Sequence, residues 1–502
     1  MSVQTPPAPP TREQEIDAGV IKDARARQRR QRLAGLLVVA GAAATVLALG
    51  SIGGDGGGVG GSARAKHGRG GAASSGGTHP VPGTSVAVLP AGGQIFGYQL
   101  TADGRGAGTL VWSTAKFVGT FADSMIRVSE QNSQGTWSKP VQLGGLHQSL
   151  NPILAESGSG AAAIVWSWVQ GGPDERTVLE AVTRRSAGSA WSAPHAIWSV
   201  GKVEGALATV GIDSAGVATI VWTSYGQGNP AIWTVRINTD NAIATKPREL
   251  VSGGAGGTDL TLAENGAGAA LLSWQRQQSV RPARGSLGTV HAAEMVSYRL
   301  ASGRWLAPHR LATFTYPQEP AGMNIWAPTA PQSTVTAEGV GGLAWLPGMP
   351  LELSTRDPAT GTWSQTRIPD SRGAFNETIV SGPHNSLRAF WSSSSPRGTR
   401  TLRTATSPNG VRWSATSKLS LPDDTFQTFV ASDPSGSTVL AFTDSHRHVF
   451  FTTRTVGNDW SAPQLVGRGF APVATISGSG PITVSWTTGV APHTVMETRT
   501  YR

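Results

Sequence analysis

Between Gly92 and Arg502 the chain repeats one pattern about eight times. Each copy runs from a small or apolar strand through a Gly-containing turn to an apolar run that ends in Trp. A loop and a further strand follow, then Gly-x-Trp-Ser-x-Pro and a short apolar stretch. Residues 151–197 show the whole unit: NPILAESGSGAAAIVWSW, then TVLEAVTRRSAGSAWSAPHAI. Units of roughly fifty residues with four strand-like segments cannot bury their apolar faces alone, so each must be covered by the next. The pattern predicts an all-β chain whose residues 83–502 form a β-propeller.

The blade count follows from two Trp series. The apolar runs end at Trp112, Trp166, Trp222, Trp274, Trp345, Trp391, Phe442 and Trp486, and the second signature supplies Trp137, Trp191, Trp305, Trp363, Trp413 and Trp460. The third repeat reads NTDNAIATKPREL in place of that Trp, and the eighth stops after its third strand at METRTYR. The unmatched strand Thr84-Ser85-Val86-Ala87-Val88-Leu89, ahead of the first repeat, supplies the missing piece. Pairing it with the last repeat closes a ring of eight blades and leaves no exposed edge. The irregular repeats at the two ends leave seven blades as the alternative. Both Trp series are read as packing, since a Trp at the end of a buried strand fills the wedge between blades with a large apolar area. Starts such as Gly160-Ala161-Ala162-Ala163 suit strands crowded near a narrow axis.

Composition narrows the chemistry. Cysteine is absent, which excludes disulfides, thiolate metal sites and Cys nucleophiles. A core of this size needs no disulfide, so the absence does not argue against export. The net charge of +10 suggests nucleic acid at first sight. Residues 1–32, however, hold seven Lys or Arg against four Asp or Glu, and residues 53–82 hold three against one. About half of the excess is left for the repeats, with no basic stripe interleaved with aromatics, which argues against a nucleic-acid partner.

The N-terminal part divides into three. Leu33–Ile52 is twenty residues without a charge; at about 1.5 Å per residue it spans roughly 30 Å, the thickness of a bilayer core. The dense cationic flank Lys22, Arg25, Arg27, Arg29, Arg30 and Arg32 would hold the N-terminus in the cytoplasm and send the rest outside. The expectation is a basic cytoplasmic tail (1–32), a single transmembrane helix or uncleaved signal anchor (33–52) and a Gly-rich linker (53–82) with twelve Gly, unable to bury enough apolar surface to order itself. The alternative is a secreted protein released by signal cleavage near Ala48-Leu49-Gly50. Either route puts the propeller outside a bacterial cell.

The turn before the second Trp resembles the Asp-box of sialidase-like propellers, Ser-x-Asp-x-Gly-x-Thr-Trp. Its nearest versions are Ser407-Pro408-Asn409-Gly410-Val411-Arg412-Trp413, one residue short, and Asn132-Ser133-Gln134-Gly135-Thr136-Trp137, with its Gly displaced. Gly-x-Trp-Ser-x-Pro also looks like repeats of exported bacterial proteins of unassigned role. The resemblance implies the propeller fold but not the sialidase activity. That family uses an Arg triad, a Tyr nucleophile paired with Glu, an Asp acid/base and a Phe/Tyr-Arg-Ile-Pro motif in the first blade. Here Arg367-Ile368-Pro369 follows Thr366 and falls in the fifth repeat, and only five Tyr exist. No catalytic residue and no cofactor is assigned.

Two clusters remain as site candidates. Blade four departs furthest from the repeat: Gln275–Ala293 and 312–325 are both long, read as loops opening on one face. They offer Arg276, Arg281, Arg284, His291, Tyr316, Gln318 and Glu319, with Trp326 close by; Arg and aromatics favour interfaces and suit sugars or acidic groups. Asp444, His446 and His448 would share one face of an extended segment and could hold a divalent metal, although a polar hairpin turn is the plainer reading. Together these features predict a membrane-anchored extracellular propeller that binds protein or carbohydrate without catalysis, with a glycan-active hydrolase or lyase as the alternative. An enzyme would gather acids with a Tyr or His at the channel mouth, a binder a mixed aromatic and polar rim.

Overall fold

A computed structural model describes residues 87–501, apart from 91–93, 119–120, 133, 145–147, 171–175, 202–206, 225–230, 241–242, 253–256, 281–287, 319–330, 347–349, 369–370, 372–373, 395–399, 423–424, 426, 479 and 490–493. The predicted tail, transmembrane helix and linker lie outside the described residues. Among the described residues no helix is long and apolar enough to cross a membrane.

The chain folds into eight antiparallel sheets, settling the count against seven. Seven of them are contiguous meanders, beginning with inner strands Gln94–Ala102, Gln148–Glu156, Ala208–Ile212, Gly257–Glu264, Gln332–Val335, Ala374–Ser381 and Gln427–Ser432. The eighth takes Phe470–Ile476, Ile482–Thr488 and Val495–Tyr501 from the C-terminus and Ala87–Pro90 from the N-terminus. In that sheet Val88 lies opposite Glu497 and Leu89 opposite Met496. Each inner strand contacts that of the next blade, and Phe470–Ile476 contacts Gln94–Ala102, so the ring is closed.

Alternating strand direction gives the ring two faces. The lower face carries the turns from first to second strand and from third to fourth. The upper face carries the turns from second to third strand and the connections between blades.

The first Trp series forms the wedges: Trp112, Trp222, Trp274, Trp391 and Trp486 have no solvent exposure, and Phe442 takes the same place in blade 7. Trp222, for instance, packs with Ile197 and Leu179 of blade 2 and Val210 and Val235 of its own. Burying such a ring contributes on the order of 3 kcal/mol or more.

The lower turns explain the rest of the repeat. Asp103, Asp213, Asn265, Thr336 and Asp433 each accept, through a side-chain oxygen, the backbone N–H four residues on. The glycine between, such as Gly106 or Gly268, has φ near +80°, which a β-carbon would oppose. In Trp-Ser, the Ser is a clamp: the hydroxyls of Ser138, Ser192, Ser414 and Ser461 accept the N–H of Glu130, Thr183, Thr406 and Thr453. Thr245 does the same for Arg236 in the third repeat, which lacks the Trp. Asn132 and Asn409 fill the Asp-box position, each accepting two turn N–H groups.

Two junctions carry buried ion pairs. In blade 2 a row across the sheet reads Glu156, Ala162, Arg184; in blade 4 it reads Glu264, Ala270, Arg299. Arg184 pairs with Glu156 and with Glu130 of blade 1, and donates to Thr109 of blade 1 at 3.0 Å. Arg299 pairs with Glu264 and donates to Thr219 of blade 3. Trp191 and Trp305 cover the two guanidinium groups at 5.0 and 5.7 Å. Part of the second Trp series thus roofs a buried charge.

Candidate functional site

Blade four does project beyond its neighbours, but as sheet rather than loop. Its second and third strands, Ala270–Val280 and Gly288–Arg299, stay paired out to Val280 and Thr289, and the fourth, His309–Gln318, follows to Gly288. This corrects the reading of 275–280, 288–293 and 312–318 as loops, while 281–287 lie outside the described residues. Polar side chains on a protruding hairpin have no core to face, so the backbone ladder forms without an apolar alternation to announce it.

Of the residues singled out there, Arg276 lies opposite Ala293 and His291 opposite Gln278. Both are exposed, on the side of the sheet where Trp274 packs against blade 3. The His291 Nδ1 is 3.1 Å from Thr315 Oγ1. Tyr316 pairs with Val290 and Gln318 with Gly288. Arg281, Arg284, Glu319 and Trp326 lie outside the described residues.

The other side of that hairpin holds an acid that sequence reasoning missed. Glu294 has no solvent exposure, and neither carboxyl oxygen has a hydrogen-bond partner. Burial pushes its carboxyl well above the usual range, and the nearby carboxyls of Asp259 and Glu377 push it the same way. Asp259 and Glu377 sit in bulges of the inner strands of blades 4 and 6, where the register slips between Thr258 and Thr261 and between Phe375 and Thr378. The left-handed backbone of Asp259 (φ 59°) and Asn376 (φ 52°) turns these bulges. Acids from two blades, Asp259 and Glu377, thus act on Glu294 on the upper side of the ring.

Between blades 7 and 8 the upper rim carries the turn that joins the second and third strands of blade 7. Asp444 to His448 is a tight turn, with Arg447 at φ 64°, and not the extended segment the metal reading needs. Asp444 binds its own turn, accepting the His448 backbone N–H and lying 2.7 Å from His448 Nδ1. His446 is exposed, with its ring 6.1 Å from that of His448. Among the described residues no group of three His, Cys, Asp or Glu is placed to hold a metal ion. Beside this turn the Arg447 guanidinium lies 4.5 Å from the ring of Phe470, an aromatic left exposed at the start of blade 8. Gln427 adds a polar group by accepting the Ala471 N–H at 2.6 Å. The Tyr98 hydroxyl donates to the Ala471 carbonyl, and burial raises its pKa.

Fold and rim together define an eight-bladed propeller with a loop-bearing face of mixed chemistry. No family model matches the chain, and no curated protein is significantly similar. Solved propellers are similar at low identity. The BP39L lectin from Burkholderia pseudomallei is 15% identical with a TM-score of 0.45, covering 76% of this chain and 100% of the lectin. A point mutant of the NanB sialidase from Streptococcus pneumoniae is 12% identical with a TM-score of 0.38, covering 85% of this chain and 71% of the sialidase. The fucose-specific lectin from Aleuria aurantia is 14% identical with a TM-score of 0.31, covering 64% and 97%.

Proposed function

We propose that this chain is a single-pass bacterial membrane protein that holds its propeller outside the cell on a Gly-rich stalk. There its upper rim binds a glycan or a surface protein without turning it over. The uncharged run Leu33–Ile52 and its basic flank support the anchor. The observation that carries the binding reading is the exposed ring of Phe470, stacked by Arg447 and set among His446, His448 and Gln427. An aromatic face edged by donors and acceptors suits a sugar ring or a peptide side chain. The exposed Arg276 and His291 extend that polar rim at blade 4.

One observation favours the hydrolase reading. Glu294 is a buried acid whose pKa is raised by burial and by the nearby Asp259 and Glu377, the kind of pairing that acid and base catalysis uses. Against it, Glu294 has no exposure through which to meet a substrate.

The test is a glycan array and a panel of bacterial surface proteins probed with the full-length chain in detergent. Binding that Phe470→Ala abolishes supports the rim reading. Binding that survives it but is lost on deleting residues 281–287 moves the site to blade four. Release of product from chromogenic glycosides, lost in Glu294→Gln, would replace binding by hydrolysis. No ligand in either panel would sink the proposal.

A further inference from the structure

The row that holds Glu156 and Arg184 in blade 2, and Glu264 and Arg299 in blade 4, is built differently in blade 7. There Ser432 lies opposite Thr438, and Thr438 opposite Arg454. Ser432 therefore stands where the two earlier rows have Glu, while Arg454 keeps the arginine. The residue reaching in from the preceding blade changes as well. Blades 1 and 3 offer the hydroxyls of Thr109 and Thr219; blade 6 offers Arg388, whose Nη1 donates to Thr438 Oγ1 at 2.8 Å. One acid and one arginine have become two arginines and no acid.

The substitution leaves a surplus. The Arg388 Nε is buried without a partner. Arg454 spends its Nε on the Asn458 carbonyl at 2.9 Å. Neither arginine forms an ion pair among the described residues. Asp433, next to Ser432, turns its Oδ1 into its own turn, toward Ser437 N and Ser435 Oγ, while its Oδ2 is buried without a hydrogen-bond partner and forms no ion pair with either arginine among the described residues. Ser432 and Thr438 hydroxyls stand 2.9 Å apart beside the two cations. Burial, with Arg454 adding to it, lowers the Arg388 pKa to about 10. Both arginines are half-buried rather than sealed, so a ligand can reach them from the lower face.

We propose that the junction of blades 6 and 7 is an oxyanion site, in which Arg388, Arg454, Ser432 and Thr438 hold a sulfate, phosphate or carboxylate group. A guanidinium fork with flanking hydroxyls matches the geometry of such groups, and a bound anion supplies the charge that Glu156 and Glu264 supply elsewhere. The site lies on the face opposite Phe470 and stands independently of the rim reading.

The test swaps the junctions. Inorganic sulfate and phosphate are titrated against the full-length chain at constant ionic strength, following the melting temperature, and vesicles containing phosphatidylglycerol are tested alongside. In Arg388→Thr, which restores the residue of blades 1 and 3, the anion should bind at least about tenfold more weakly, the loss of one charge-assisted pair. Ser432→Glu, which restores the carboxylate, should raise the melting temperature without anion and abolish the response to it. Vesicle binding that Arg388→Thr removes would identify a lipid phosphate as the source; a response to the free ions alone, a soluble one. A response of equal size in the parent and both variants would be the general salting effect of sulfate and would overturn the proposal, as would no response at all.

Discussion

Arg299 and Glu264 stand at opposite ends of one row of blade 4, with Ala270 between them, and form an ion pair without solvent contact. The guanidinium also donates to Thr219, so a pair made within one blade holds the previous blade in place. Burial lifts the Glu264 carboxyl, to about 7, while Arg299 draws it back. Glu156 and Arg184 repeat the arrangement at the junction of blades 1 and 2.

Removing one partner of such a pair should cost more than removing both. Arg299→Met leaves Glu264 buried and unpaired, and should lower the unfolding free energy by about 3–5 kcal/mol. Adding Glu264→Leu should recover most of it, because the two apolar side chains fill the space without a stranded charge. Urea denaturation of the parent and the two variants measures both. Equal losses in the single and double variants would show that packing, not charge, governs the junction.

Gly211, on the inner strand of blade 3, lies against the same acid. A β-carbon there would stand 2.6 Å from Glu264 Cβ and 2.8 Å from its Oε2. Gly211→Ala should therefore destabilise by about 1–3 kcal/mol through overpacking and displace Glu264 from Arg299. Gly188 provides the contrast: nothing lies within 4 Å of its β-position, and only its φ of +75° resists Ala, a cost of about 1–2 kcal/mol. Repeating Gly211→Ala in the Glu264→Leu and Arg299→Met background separates the causes. A smaller loss there assigns the effect to the Glu264 carboxylate; an unchanged loss assigns it to the clash with the Cβ of position 264, which the leucine keeps.

Much of the ring was legible because its signals are local. The spacing of Trp112, Trp166 and Trp222 marks successive wedges, and the missing outer strand of the last repeat asks for a partner such as Val88. The ion-pair rows were not legible. Glu264 and Arg299 are separated by a long hairpin, and Thr219 comes from another blade, so only the register aligns them. The acids are more dispersed: Asp259 and Glu377 reach Glu294 through bulges of inner strands in blades 4 and 6, and no spacing encodes a bulge. The lesson of Asp444, His446 and His448 runs the other way. Alternation predicts a shared face only for a strand, and the left-handed Arg447 makes the segment a turn.

Glu294 should leave its mark on the pH dependence of stability. Its carboxyl titrates well above the ordinary 4.5 in the folded chain, because of burial first and the nearby acids second. In the unfolded chain it ionises near the ordinary value. The folded state thus holds the extra proton between those two values, and the stabilisation is full below about pH 4.5 and lost as pH rises through the folded pKa. Glu156 and Glu264 contribute the same sign up to about pH 7, so the measurement is the difference between the parent and Glu294→Gln. That variant should lose less stability than the parent as pH rises above about 4.5. Identical slopes would mean that Glu294 is ionised in the folded protein.

The closing strand offers the sharpest test of the ring. Ala87–Pro90 pairs antiparallel with Val495–Tyr501, and it alone covers the outer edge of the last blade. A chain beginning at Gly92 loses that ladder and leaves the final blade three-stranded. Several backbone hydrogen bonds vanish together, each worth about 1 kcal/mol net, and the bared edge can pair with another molecule. The shortened chain should melt markedly lower and move to dimers or larger species on size exclusion. A chain beginning at Thr84 should match the repeats in their full context, since it keeps every residue of the strand. Adding the peptide Thr84–Pro90 to the shortened chain should restore part of the lost melting temperature. Equal stability of the two chains would mean that the last blade stands on three strands and that the ring is held by its inner-strand contacts alone.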